Sequence, residues 1–302
     1  MKYLLLLPAL LLAAASCSDK SGRKAADEAV PTAFSADSLH WADSITLGKA
    51  TGSVSLTAYY PESGSPELLD SLRGWVARHL LVSPSDYNKT TLTPDSALLA
   101  DGKTLLADAG KELIDVCRQD FAGFDSAGMT YPVAYEFDYQ IKPIYQTATT
   151  VTYNSMRYTY MAGAHGSTVS DAQTFRLSDG LGLTAADMFL PDSIRPVTEL
   201  VKKAVYEQYF LPQAGEEGGA PASFKDCLLI NPADMTLPAY PPYFMPDGVV
   251  FVYQQYEIAC YAAGMPACVI PYSTLLPCMT PMAATLVKGF ASPASSDNEQ
   301  SV

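Results

Sequence analysis

Apolar residues recur along this chain with two different spacings, and each spacing predicts a different kind of element. Segments 66–80 and 102–121 carry apolar residues three and four positions apart, the spacing of a helix with one buried face. Ser65 and Pro66 suit the cap and first turn of the first helix. A further amphipathic helix is predicted at 193–209.

Alternation of apolar and polar residues predicts antiparallel strands elsewhere. The predicted strands are 40–47, 52–60, a meander of long strands within 131–177, and shorter strands at 248–253 and 267–270. Short helices are predicted at 184–189 and 273–278. Because strands and helices are segregated along the chain, the expected class is α+β, with antiparallel sheets packed by a few helices in two subdomains.

The N-terminal residues form a short apolar run that ends in a cysteine. Lys2 supplies a positive charge, residues 3–15 are apolar, and small residues precede Cys17. This pattern is typical of a bacterial lipoprotein signal, and the run is too short for a permanent transmembrane anchor. The alternative is an ordinary secretory signal with an incidental cysteine. We expect a signal peptide at 1–16, lipid on Cys17, and a protein held in the cell envelope, at the outer membrane or cell surface.

The rest of the chain is acidic and divides into polar ends and a globular middle. The 302 residues carry a formal net charge of −13, which disfavours nucleic acid and favours a basic partner. Segments 17–38 and 291–302 have few large apolar residues, so a flexible tether and a flexible tail are predicted there. The two subdomains are expected at 39–144 and 145–290.

Five cysteines remain besides Cys17. Cys260 and Cys268 lie symmetrically about Gly264, so a hairpin at this glycine would place them opposite each other and allow a disulfide. The alternative is that several cysteines are small buried apolar residues. No Cys-x-x-Cys pair is present, so a structural zinc site is not expected. No cofactor is expected either.

Two stretches resemble the RsiV-type domain family. One is MAGAHGS at 161–167 with TFRLSDG at 174–180 and LTAADMF at 183–189. The other is DGVVFVYQQYEIACYAAG at 247–264 with VIPYSTL at 269–275. The resemblance covers 145–278, while 39–144 is similar only in pattern to the smaller upstream domain of PdaC-like proteins.

The resemblance implies a fold and, more loosely, a function. Many members are envelope lipoproteins, and one is an anti-sigma factor whose exported domain binds lysozyme. This sequence shows neither a sigma-binding segment nor a deacetylase domain, and His40, His79 and His165 are too scattered for a His-x-x-x-His metal pair. The resemblance therefore implies a tethered, non-catalytic module that binds a protein or glycan ligand, with a lysozyme-like protein or peptidoglycan as examples.

His165 is the first residue with candidate chemistry. Glycines at 163 and 166 would leave its imidazole on an exposed turn, where it could bind a ligand or act in acid–base chemistry. The alternative is a turn residue bonded to a backbone carbonyl. A catalytic histidine needs a positioned partner, and with Asp171 or Glu257 it would make an enzyme acting on cell-wall carbohydrate, the rival hypothesis.

Tyrosine is unusually abundant, with nineteen residues. The proline-rich segment 237–246 would present rings on a stiff loop, which loses little entropy on binding. Core packing is the alternative, and a large exposed apolar patch would instead indicate an assembly component. The candidate binding residues are His165, Tyr240, Tyr243, Tyr256, Glu257 and Tyr261.

Overall fold

The computed structural model describes residues 33–84, 86–90, 93–212 and 223–288. Several predicted segments lie outside the described residues: the signal peptide, Cys17, most of the tether and the tail at 291–302. What the sequence indicates about them stays a prediction. Within the described ranges, no helix combines the length and apolarity that crossing a bilayer requires.

The first part of the described chain contains three helices and seven strands. The strands are β1 (Ser35–Leu47), β2 (Ala50–Ser63), β3 (Val82–Ser83), β4 (Asp86–Thr90), β5 (Val133–Gln146), β6 (Thr150–Met161) and β7 (Ser167–Arg176). The helices are α1 (Pro66–Leu80), α2 (Ser96–Ala100) and α3 (Gly102–Ser126). The order of strands in the main sheet is β1-β2-β5-β6-β7, in which only β2 and β5 run parallel.

Helices α1 and α3 cover one face of this sheet. The Ser65 side chain accepts a hydrogen bond from the Leu68 N–H and so caps α1, as its sequence predicts. Gly110 lets α3 approach β1, because a Cβ at this position would lie 2.1 Å from the Trp41 ring. The side chains between helices and sheet form the first core, which runs from Leu39 to Phe175 in the sequence.

The second part of the described chain is built around a smaller sheet. Its regular elements are α4 (Ala185–Met188), α5 (Ile194–Val205), β8 (Tyr243–Met245), β9 (Gly248–Val252), β10 (Ala267–Ile270), α6 (Tyr272–Leu275) and α7 (Pro281–Leu286). A π-helical turn, Tyr206–Phe210, continues α5. The three antiparallel strands have the order β10-β9-β8, and the second core runs from Leu183 to Val287.

The second core packs against the other face of β6 and β7. Val151, Tyr153 and Phe175 point into the first core, so their neighbours Thr152 and Thr174 point the opposite way. The Thr152 hydroxyl donates to the Phe244 carbonyl at 3.0 Å, and the Phe244 N–H donates to the Thr174 hydroxyl at 2.8 Å. These buried hydrogen bonds join β8 to the main sheet.

The predicted α+β class is confirmed, but two predicted boundaries differ from the structure. The cut at 144/145 lies inside β5, which pairs with β2 on one side and β6 on the other. The division between the two cores instead falls after Phe175 and before Leu183. The predicted tether overlaps β1, which begins at Ser35 opposite Ser63. A continuous hydrogen-bonded sheet leaves no flexible joint at either predicted boundary.

The pairing defines two ends of the main sheet. Leu47 pairs with Ala50, Ala50 with Val133, and Tyr135 with Met161, so these residues lie at one end, which we call the distal rim. The described chain enters β1 at Ser35, at the other end. Thirteen extended residues separate Ser35 from the rim, a length of roughly 40 Å.

Buried thiols and phenols predict a loss of stability at alkaline pH. Burial raises the pKa of Cys117 to about 11 and those of Cys268, Tyr60 and Tyr243 to about 12. The unfolded chain loses these protons near the ordinary values, 9.0 and 10.0, whereas the folded chain keeps them. The free energy of unfolding is therefore at its full value below about pH 8 and falls as the pH rises toward about 11.

Urea unfolding of the protein at several pH values measures this effect. Cys268→Ala, which removes one of the groups, should make the decline shallower than in the wild type. A free energy of unfolding that stays constant from about pH 8 to about pH 11 would contradict the assignment.

Candidate functional site

Three of the candidate binding residues come together at the distal rim. The His165 ring stacks on Tyr261 with centroids 3.7 Å apart and planes 18° apart, and the Tyr256 ring lies 5.9 Å from that of Tyr261. Tyr256 is 57% exposed, His165 is exposed and Tyr261 is half-buried. We call these three side chains the aromatic corner.

The turn from β6 to β7 positions His165. Ala162 and Gly163 have φ of 62° and 101°, left-handed values that turn the chain sharply between the two strands. The Tyr160 hydroxyl donates to the Gly163 carbonyl at 3.2 Å. The Tyr158 ring lies so close to Gly166 that a Cβ there would be 2.4 Å from it. Two tyrosines of β6 thus hold the turn in place.

Tyr256 is positioned by the two glutamines that precede it. The Gln254 side chain accepts from the Ser170 N–H at 3.0 Å and donates to the Ser170 carbonyl at 2.8 Å, and Gln255 accepts from the Thr168 N–H at 3.1 Å. These contacts attach the 254–257 turn to the open edge of β7. Tyr256 then has φ of 65°, an unfavourable value for a bulky residue.

The hydrogen bonds of His165 define its tautomer. Nδ1 lies 2.9 Å from the Gly166 carbonyl, which can only accept, so Nδ1 carries the proton. In the neutral ring Nε2 is then an acceptor for the Tyr256 hydroxyl, 3.5 Å away. His165 is therefore a turn residue bonded to a backbone carbonyl, which was the alternative interpretation of the sequence. Its ring is also part of an exposed aromatic surface.

The other three candidate binding residues lie outside the aromatic corner. Glu257 accepts from the Ala239 and Gln254 N–H groups, each at 2.7 Å, and so ties the proline-rich loop to the 254–257 turn. Tyr243 is half-buried in β8, and burial raises its pKa to about 12. Tyr240 is half-buried in the same loop.

The histidine–carboxylate pair of the rival enzyme hypothesis is not formed. Asp171 bonds His79 instead, with Oδ2 and Nε2 2.8 Å apart in a buried contact between β7 and α1. Both oxygens of Glu257 accept from backbone N–H groups. The hydrogen bonds of these two carboxylates therefore go to His79 and to backbone N–H groups rather than to His165.

The contact of His79 with Asp171 is one that sequence reasoning missed. His79 Nδ1 lies 2.7 Å from the Trp75 carbonyl, so Nδ1 must donate, and a second proton must lie between Nε2 and the carboxylate. Asp171 Oδ1 is buried without a hydrogen-bond partner among the described residues. No local signal pairs two residues 92 positions apart.

The predicted hairpin centred on Gly264 is wrong. Cys268 lies opposite Phe251 in the β9–β10 pairing, whereas Cys260 precedes a short 3₁₀ turn outside either strand. Both are free thiols in the structure; Cys268 is buried and Cys260 is exposed. Among the described residues, no cluster of three or more histidine, cysteine or acidic side chains could hold a metal.

A concavity lies outside the aromatic corner. It has a volume of about 1010 Å³ and runs along α5. Its lining includes Arg195 and Lys203 of α5 and, from the following segment, Phe224 and Met235. None of the candidate binding residues lines it.

The buried contact predicts a large effect on stability. His79→Ala would leave the Asp171 carboxylate buried without a partner, so it should lower the free energy of unfolding by about 3 kcal/mol. Lys111→Ala is the matched control, because it removes an exposed contact with Asp108 and should cost less than about 1 kcal/mol. Urea unfolding measures both, and equal losses would show that the buried contact adds nothing.

Comparisons with known proteins agree on one family. Residues 186–273 match the family model described as "Protein of unknown function (DUF3298)". Among curated proteins, none matches this sequence.

Two solved structures share the fold. A DUF3298 family member from Bacteroides fragilis NCTC 9343 is 18% identical with a TM-score of 0.53, covering 82% of this chain and 94% of that one. A DUF3298 family protein from Pseudomonas aeruginosa PAO1 is 17% identical with a TM-score of 0.51, covering 82% and 95%. Residues 186–273 are therefore similar to the DUF3298 family, and the fold is similar to those of two solved DUF3298 proteins.

Proposed function

We propose that this chain is a lipid-anchored, non-catalytic protein of the cell envelope that binds a protein or glycan ligand through its aromatic corner. The single observation that carries the proposal is the corner itself: exposed rings held rigidly at one end of the sheet. Tyrosine rings in a fixed geometry bind with little loss of conformational entropy, which suits a recognition surface.

Backbone strain supports a functional role for the corner. Ala162 and Tyr256 are the two non-glycine residues with left-handed φ in the described part of the chain, and one flanks His165 while the other contacts it. Such conformations cost of order 1–3 kcal/mol and tend to persist where function requires them. Neither the first nor the second core needs this strain, because both residues lie outside them.

The position of the corner also suits a tethered protein. With lipid on Cys17, the tether would reach the domain at Ser35, at the end of the sheet opposite the distal rim. The corner would then lie roughly 40 Å along the sheet from that attachment point.

The resemblance to the RsiV-type and PdaC-like proteins supports a ligand in the envelope. The relative that binds lysozyme does so with its exported domain, and the net charge of −13 here would attract a basic protein. The aromatic corner favours binding over the alternative of a carbohydrate-active enzyme, because Asp171 and Glu257 hydrogen-bond other groups than His165.

Lipid attachment is tested by Cys17→Ser. We expect the wild-type chain to incorporate radioactive palmitate and to fractionate with membranes, and the variant to lose both properties because it lacks the acceptor thiol. Cys260→Ser is the matched control, since Cys260 is an exposed thiol that should not affect labelling. Palmitate labelling that survives in Cys17→Ser would contradict the anchor.

Ligand binding is tested by Tyr256→Gly in the full-length chain. Glycine adopts left-handed φ without strain, so relief of strain should offset the lost ring contacts and keep the free energy of unfolding within about 1 kcal/mol of wild type. Binding to immobilised lysozyme or to sedimented peptidoglycan should weaken about tenfold or more, because an exposed aromatic anchor is gone.

Tyr59→Ala provides the control for that experiment. Tyr59 is a tyrosine 37% exposed on β2, where it pairs with Ser38 near the opposite end of the sheet. It should leave binding unchanged. Wild-type protein that binds neither lysozyme nor peptidoglycan, or binding insensitive to Tyr256→Gly, would contradict the proposed function.

A further inference from the structure

We infer that the concavity along α5, which we call the α5 groove, binds an amphiphile that has one acyl chain and an anionic head group, as a fatty acid does. Two stretches line the groove: residues of α5 with the first residue of its π-helical turn, and Phe224 with the 232–237 segment. The aromatic corner contributes none of these residues, so the inference goes beyond the proposed function and does not depend on it.

Helix α5 is buried on one side and lines the groove with another. Val197, Val201 and Val205 are fully buried in the second core. The groove is lined instead by residues at the helical spacing of three and four, from Ile194 to Tyr206. This stretch of helix is roughly 18 Å long. A groove that follows the helix for this length suits an extended chain better than a compact ring.

Cations outnumber carboxylates in the lining. The described residues that line the groove include Arg195, Lys202 and Lys203, with Glu199 as the one carboxylate. Lys202 Nζ donates to Glu199 Oε1 at 2.8 Å, so these two charges offset each other. Within the described ranges Arg195 has neither a hydrogen bond nor an ion pair, and Lys203 has an exposed contact with Glu207 at 3.9 Å. Two cations therefore remain for an anionic ligand, in a chain of net charge −13.

The threonine hydroxyls of the lining already donate within the protein. Thr198 donates to the Ile194 carbonyl at 2.8 Å, and Thr236 donates to the Leu237 carbonyl at 3.1 Å. A sugar carries many hydroxyls and needs several neutral groups that are placed to bond them, whereas an anionic head needs cations. The polar groups of the groove thus favour an anionic head over a sugar.

The remaining lining is apolar and held in place before any ligand binds. The Phe224 ring packs against that of Tyr206 with centroids 5.3 Å apart, and Met235 is 3% exposed. The Tyr253 hydroxyl donates to the Thr236 carbonyl at 2.6 Å and so fixes the segment that carries Met235. Burial of an acyl chain against these side chains is favourable, and a preformed site loses little entropy on binding.

The volume of the groove, about 1010 Å³, matches one small ligand. Sites for small molecules and cofactors have volumes of roughly 300–1,000 Å³, with a mostly apolar lining and a few polar groups that orient the ligand. A single-chain amphiphile fits this description, with its head at the cations of α5 and its chain against the apolar residues.

Photoaffinity labelling of the full-length chain in phosphatidylcholine vesicles tests the site. Three probes share the acyl chain of palmitate, carry a diazirine near its methyl end, and end in a carboxylate, an alcohol or a trimethylammonium group. After irradiation and digestion, we expect the carboxylate probe to label peptides that contain lining residues, and excess palmitate to remove this label. The other two probes should label these peptides about tenfold less, because they lack the negative charge.

Charge reversal in the groove tests the contact with the head group. Arg195→Glu and Lys203→Glu should each reduce the label about tenfold, because the new carboxylate repels that of the probe. Arg118→Glu is the matched control: it changes an exposed arginine of α3 that contacts Asp115 and lies outside the groove. It should leave the label unchanged. Arg195 and Lys203 are exposed, so both groove variants should unfold at the wild-type urea concentration.

The outcomes separate this inference from the proposed function. Label confined to peptides without a lining residue, equal labelling by the three probes, or labelling that neither Arg195→Glu nor Lys203→Glu reduces overturns the amphiphile site. Tyr256→Gly should leave the label unchanged, because the aromatic corner lies outside the groove. Failure of lysozyme and peptidoglycan binding therefore leaves the amphiphile site standing, and failure of palmitate labelling leaves the aromatic corner standing.

Discussion

The hydrogen bonds between Gln254 and Ser170 connect the two parts of this fold at the place where the site forms. Strand β7 is the last strand of the main sheet, and its outward backbone groups need partners. The Gln254 amide supplies both a donor and an acceptor to Ser170, and Gln255 bonds the next outward N–H, that of Thr168. The same contacts protect the edge from pairing with another chain and bring Tyr256 to His165.

Strand β7 therefore makes contacts on both of its faces and along its open edge. One face carries Asp171, which holds α1 through His79, and the other carries Thr174, which joins β8 to the sheet. Its edge is bonded to the glutamines. These attachments hold β7 in place, and the Tyr160 hydroxyl and the Tyr158 ring contact the turn that precedes it. A strained turn persists only when its surroundings over-determine it, and this scaffold meets that condition.

Much of the fold could be predicted because its signals are local. Helices α1 and α3 follow from apolar spacing and from the capping residue before α1, and the long strands follow from alternation. The subdomain boundary at 144/145 could not be placed, since pairing of β5 with both β2 and β6 is a long-range property. The hairpin that would place Cys260 opposite Cys268 could not be tested from the sequence for a related reason. Strand β9 pairs with β10 from Val252 and Ala267 onward, and the residues between these two form the 254–257 turn and a 3₁₀ turn.

The class of the fold, the positions of most helices and strands, and the candidates His165, Tyr256 and Tyr261 could all be predicted from the sequence. The sequence also gives the net charge of −13, which favours a basic partner. The tertiary structure was needed to show that these three rings lie together, that Glu257 accepts from two backbone N–H groups, and that Asp171 contacts His79. The reason is that periodicity and turn chemistry act over a few residues, whereas edge capping, buried hydrogen bonds and ring stacking join residues 84 to 96 positions apart.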